Sequence, residues 1–417
     1  MILMKDLRKN RFLIIGSLII IILLTISLFT IKPHQIERDE YFIKAKALLN
    51  DVIEGLVKVR GLAFTNTVDL RVVSIEWVKE NWGRRLVEET SREVMIEEEI
   101  YKLLFLIPEN TSLKKIRIEQ SGWILAATIG HEIYIVRDYF ELTDEFKVRE
   151  IFAHELTHVL QSMHFKQPEI KFHDEKQAWN SLIEGDAILT AEMYMKFLNF
   201  SLSFKNSSKS FKDPLIEIWL FPYNYGKKFV KKVFEDQGWI GVNNLYLRVP
   251  KSTTEIMHPD KYMRAWRFNE IDLDSMKVEG WDRVKVERFG EHFIFVILGT
   301  HIPIEIAMKA AEGWIGDKFI YYKKGSDYLF LWRILWECEN DSDEFEEAFN
   351  RLMSALNGIE LSQNYWKMPK QYIYLMKKSF EVLIISSSIE LKGLLNELSI
   401  HEMMSNPIIF NTLREDG

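Results

Sequence analysis

The stretch "IFAHELTHVLQ", residues 151–161, decides how the chain is read. Its apolar residues keep helical spacing, and His154, Glu155 and His158 satisfy HExxH. On a helix, positions four apart share a face one turn apart, so both imidazoles can converge on one metal ion. Glu155 follows the first ligand and suits a general base acting on water activated by that metal. Three matching positions alone would be weak. The following helix, predicted over about 174–199, carries "LIEGDA", residues 182–187. If it returns antiparallel, Glu184 supplies the third protein ligand, leaving a fourth position open as catalytic zinc requires. Asp186, and less directly Asp174, are candidate carboxylates to accept the outer N–H of a ligating histidine. Gly185 fits the close approach of two helices. Zn²⁺ is the expected cofactor.

Upstream, residues 122–140 suggest a hairpin or two short strands, with "HEIYIV" (131–136) as the edge that would pair with an extended substrate through His131, Ile133 and Ile135. His258 and Tyr262, or Tyr246, are candidates to stabilise an oxyanion. His164 and His173 read as surface or structural. Trp314, Asp317 and Tyr321 read as organisers of a glycine turn and aromatic packing.

The rest of the chain bounds these readings. Apolar residues make up 47% and charged residues 28%, as in a folded protein. The net charge of -7 argues against a nucleic-acid partner. A single cysteine, Cys338, excludes an intramolecular disulfide framework and a cysteine-built metal site, and reads as a small buried hydrophobe. Lys5, Arg8, Lys9 and Arg11 precede residues 12–31, which carry no charge. That pattern predicts a basic cytoplasmic segment (1–11), a single-pass transmembrane anchor (12–31) and a catalytic region outside the membrane. Two further parts are expected: residues 34–205 with both ligand helices, and an α+β region, 215–417, completing the cleft.

With these residues in place, the chain resembles the gluzincin zinc metallopeptidases, whose third ligand is a glutamate on the helix after HExxH. It is also similar to a family of prokaryotic membrane-anchored or secreted proteins carrying runs like "HELTHVLQSMHF", "LIEGDA", "PKSTTEIMHPDKY" and "GWIGDKFIYY", in that order, across about 150–330. The resemblance implies zinc at His154, His158 and Glu184, with Glu155 as base. It also implies an α+β fold: a zincin-like core whose active-site helix packs on a small mixed sheet, followed by a mainly helical region. Thermolysin-like members usually place a carboxylate four residues after the glutamate ligand, where this chain has Ile188. The expected function is membrane-anchored hydrolysis of peptide bonds in a peptide or protein substrate. A zinc-stabilised binding or assembly protein without turnover, and a zinc-dependent hydrolase of non-peptide amides, are the alternatives.

Overall fold

The computed structural model describes residues 40–200, 213–266, 268–273, 276–391 and 408–409. The chain opens with α1 (Glu40–Arg60) and β1 (Asp69–Val73), then short helical segments between Ile75 and Glu89. α2 (Ser91–Leu103) and α3 (Leu113–Ser121) lead to a hairpin of β2 (Ala126–Ile129) and β3 (Glu132–Val136). Three long helices follow: α4 (Glu145–His164), α5 (His173–Phe197) and α6 (Pro214–Leu245). Beyond them come α7 (Thr253–Met257), α8 (Pro259–Met263), β4 (Glu270–Ile271) and β5 (Asp282–Glu287). Next are α9 (Gly290–Gly299), α10 (Ile304–Ala311), β6 (Trp314–Lys324), β7 (Asp327–Trp336) and α11 (Glu339–Ala355). The described chain closes with β8 (Ile359–Ser362), β9 (Tyr365–Lys367), β10 (Tyr372–Lys378), β11 (Glu381–Ser387) and β12 (Ile408–Ile409).

The first sheet is small and mixed, in the order β1-β3-β2, with β1 parallel and β2 antiparallel to β3. Alternation along β3 sends Ile133 and Ile135 into a core shared with α1 and α4, while Tyr134 and Val136 face a second cluster with Trp82. Asp144 caps α4 by accepting from the Lys147 N–H. α4 and α5 run antiparallel: Gln161 reaches the Ile183 carbonyl at one end, while Glu150 feels the charge of Glu192 at the other.

α6 packs along α5 through backbone contact. A Cβ on Gly185 would lie 2.3 Å from the Gly226 oxygen, and one on Gly226 would lie 2.1 Å from the Ser181 oxygen. Any side chain at either position would force the helices apart. The close approach expected of Gly185 is therefore made with α6. Pro222 lies inside α6 and has no N–H to give the Ile218 carbonyl, which accepts instead from Gln177 Nε2 at 2.7 Å. At Gly238 the backbone turns through φ 62°, ψ −159°, a conformation suited to glycine, and the last turns of α6 continue in a new direction.

The C-terminal region corrects one expectation: it is not mainly helical. A seven-stranded antiparallel sheet, β5-β6-β7-β11-β10-β9-β8, forms its centre. Its longest strands escape a sequence reading because both faces are covered. In "DYLFLWRILW", Phe330, Trp332, Ile334 and Trp336 enter one core, while Leu329, Leu331 and Leu335 enter another. A strand buried on both sides shows no polar alternation. The larger core also takes in Val94–Leu113 residues from the N-terminal half. Cys338, expected to be buried, is exposed.

The membrane expectation is corrected as well. Among the described residues no helix is long and apolar enough to cross a membrane. The segment 12–31, on which the anchor was predicted, lies outside the described residues. Membrane attachment, single-pass topology and an extracytoplasmic location are therefore not carried forward.

Candidate metal centre

His154 and His158 project from α4 with their Nε2 atoms 2.9 Å apart, and Glu184 Oε2 on α5 lies 3.2 Å and 3.8 Å from them. The three ligand atoms all fall within 4.8 Å of one another. This is the HExxH…E arrangement of the gluzincins. The set also passes a test of fit. Glu184 Oε2 is buried without a hydrogen-bond partner among the described residues, although it faces two imidazole nitrogens. Two imidazoles and a carboxylate are the donor types that a divalent transition metal takes.

The surroundings fix which nitrogen of His158 is free. Gln161 Nε2 donates to the Ile183 carbonyl (2.9 Å) and to Asp186 Oδ2 (3.4 Å), neither of which can donate. Its Oε1 therefore faces His158 Nδ1, at 2.7 Å, and accepts that nitrogen's proton. The lone pair is left on Nε2, toward Glu184 and His154. Sequence reasoning missed Gln161, although it lies one turn beyond His158 on the same helix face. Asp186 is held one step further out than expected. It takes a two-point ion pair from Arg60 (3.0 and 3.1 Å) and a hydrogen bond from the Tyr246 hydroxyl (2.7 Å), so it braces Gln161 and touches neither histidine directly.

Glu155 is fully buried. Its Oε2 accepts from the Thr128 hydroxyl on β2 at 2.7 Å, while Oε1 has no partner among the described residues. Burial pushes its carboxyl up to about 8, against the pull of Thr128, and the Glu184 charge adds to the rise. Burial likewise raises Glu184 to about 7, opposed by His158 and a hydrogen bond with Tyr223 of α6. It lowers His154 to about 3 and His158 to about 4, keeping both imidazoles neutral, as ligation requires. A bound cation would favour the ionised form of both carboxylates. Thr128 and Tyr223 carried no signal in the sequence, since each arrives from an element far from HExxH.

Other predicted site residues lie elsewhere. Asp174, at the start of α5, accepts from the Thr253 N–H (2.8 Å) and hydroxyl (2.7 Å) and pairs with Arg288, joining α5 to α7 and the second half of the chain. His258 Nε2 sits 2.6 Å from Glu291 Oε1, and the Tyr262 hydroxyl donates to the Arg248 carbonyl at 2.5 Å. Tyr246 serves Asp186. Ile133 and Ile135 cannot form the substrate edge, because β3 is the central strand and is paired on both sides. His131 lies in the turn beside it, where its carbonyl accepts from the Asp69 N–H. The sheet edge beside α4 is β2. His164 Nε2 bonds the Ala63 carbonyl at the surface.

Comparison with known proteins adds little about the metal centre. A family model described as a domain of unknown function (DUF8575) matches residues 275–390, the stretch that holds the seven-stranded sheet but none of the metal-site residues. No curated protein matches the chain. A crystal structure from Chloroflexus aurantiacus, whose description proposes a hydrolase with a novel fold, is 16% identical and covers 55% of this chain and 91% of its own, with a TM-score of 0.32. That likeness is too low to bear on fold or activity, and no comparison names a substrate.

Proposed function

We propose that this protein is a zinc-dependent metallopeptidase of the gluzincin type. The observation that carries the reading is the convergence of His154, His158 and Glu184 beside a buried Glu155 with one unpartnered oxygen. His154, His158 and Glu184 would hold the ion. Zinc at that position supplies Lewis acidity, polarising a carbonyl and making water acidic near neutral pH. Glu155 Oε1 accepts the proton from water and returns it to the departing amine, while Thr128 keeps the other oxygen in place. The Tyr223 hydroxyl hydrogen-bonds Glu184 and so holds that ligand carboxylate in place. Among the described residues β2, Ala126–Ile129, pairs only with β3, so its other side is the edge that an extended substrate would join.

One observation favours a rival, a zinc-stabilised protein that never turns over: His154, Glu155, His158 and Glu184 are at most 6% exposed. Metal analysis of the full chain, together with peptide-library cleavage by the wild type, Glu155→Gln and Glu184→Ala, separates the two. The peptidase reading expects about one zinc per chain. It also expects a loss of cleavage on the order of 10²–10⁴-fold in Glu155→Gln with zinc retained, and reduced zinc occupancy in Glu184→Ala. A zinc-loaded wild type that cleaves nothing supports the rival.

A further inference from the structure

β2, α4, α5 and α6 each bring a side chain to the metal site, and three of the four junctions that link them in a ring are keyed tightly. β2 joins α4 through the Thr128 hydroxyl, which lies 2.7 Å from the Glu155 carboxylate and 3.0 Å from its carbonyl. α4 joins α5 through Gln161, and α5 joins α6 through the Gly185–Gly226 contact. At the fourth junction, between α6 and the lead-in to β2, Trp219 meets Trp123 with ring centroids 5.9 Å apart and planes tilted by 59°. Trp123 is 36% exposed. Trp219 lies one helical turn before Tyr223, on the same face of α6, and also packs against the cluster containing Ile124 and Ala127. Trp123 precedes Thr128 by five residues. The ring pair therefore joins α6, which carries the residue that reaches Glu184, to the lead-in of β2, which carries the residue that reaches Glu155.

We propose that Trp123 and Trp219 form the gate of the metal site. Of the four junctions, this contact can part without breaking a buried hydrogen bond or separating two backbones packed glycine to glycine. The opening runs along β2, so what enters is a polypeptide segment in extended form, one of its apolar or aromatic side chains replacing the contact that each indole loses. This inference rests on the peptidase reading for its substrate, while the gate itself can be tested without metal or turnover.

The test uses the full chain, metal-free, with Cys338→Ser removing the exposed thiol and Thr128→Cys placing a reporter thiol against Glu155. Alkylation by iodoacetamide is timed in this background and after adding Trp123→Ala, Trp219→Ala, or phenylalanine at either position. Alanine at either tryptophan is expected to speed labelling at least tenfold, and phenylalanine less than threefold. A matched Ser342→Cys reporter, buried in α11 and in contact with none of the metal-site residues, should keep its rate. Unchanged labelling of the Thr128→Cys reporter in both alanine variants overturns the gate, whatever the zinc and cleavage assays show. Equal acceleration of the Ser342→Cys reporter overturns it too, because the effect would then be general loosening.

Discussion

Two buried carboxylate sites in this molecule are built on opposite plans. Asp317, on β6, has both oxygens fully occupied: Oδ1 accepts from the Gly290 N–H (2.9 Å) and Trp314 Nε1 (3.0 Å), and Oδ2 from the Phe289 N–H (3.0 Å) and Trp332 Nε1 (2.9 Å). Glu155 and Glu184 are buried as deeply, yet each leaves one oxygen without a hydrogen-bond partner among the described residues, and Glu184's faces two histidine nitrogens. A buried acceptor without a donor costs free energy unless an ion, a ligand or water meets it. Asp317 ties the start of α9 to the sheet. The other pair holds its free oxygens for something the chain does not itself supply.

The comparison can be broken by substitution. Asp317→Asn puts an amide N–H among four N–H donors, and should cost about 3–5 kcal/mol in denaturant unfolding. Glu155→Gln, equally buried, should change the unfolding free energy of the metal-free protein by about 1 kcal/mol or less while abolishing cleavage. If the two substitutions destabilise alike, the distinction between a structural and a functional carboxylate fails. Gly226→Ala comes next. Its new methyl group meets the Ser181 backbone, and overpacking of this kind should cost about 2 kcal/mol. Because Glu184 lies on the same stretch of α5, zinc affinity should fall with it, whereas Asp317→Asn at temperatures where it remains folded should bind zinc normally.

The smallest effect sharpens the comparison by pH. Burial lowers the His258 pKa, but the hydrogen bond and charge of Glu291 outweigh it, and the net shift is upward. Because its folded pKa lies above the unfolded value of about 6.5, its contribution is fully present below about pH 6.5 and is lost as pH rises through the folded pKa. Between about pH 6 and about pH 9 the wild type should therefore lose about 1 kcal/mol more stability than His258→Gln. Equal losses would show that this pair, unlike Asp317, contributes nothing to holding α9.

The ligand set was legible in the sequence because its geometry is local. His154 and His158 share a helix face by spacing alone, and a short connection to the next helix makes the return that brings Glu184 to them. The same locality explains what was misread. Asp186 lies two residues after Glu184, but whether it meets a histidine depends on Gln161, Arg60 and Tyr246, drawn from three separate elements. The substrate edge was assigned to β3 because an apolar strand and its pairing partners look alike in one dimension, and only the parallel strand β1 makes β3 central. The long strands β6 and β7 were missed because burial on both faces erases the alternation that marks a strand.

What the sequence by itself determined is the chemistry available: two imidazoles, a base and a carboxylate as third ligand, placed by helical periodicity and one short loop. Only the tertiary structure decided how that chemistry is held. Thr128 and Tyr223 reach the site from a strand and a helix distant in the chain, brought there by sheet order and by two glycines that let α5 and α6 touch. Local spacing sets which groups can share a helix face. Long-range packing sets which oxygen stays unpartnered and where the enclosure can open.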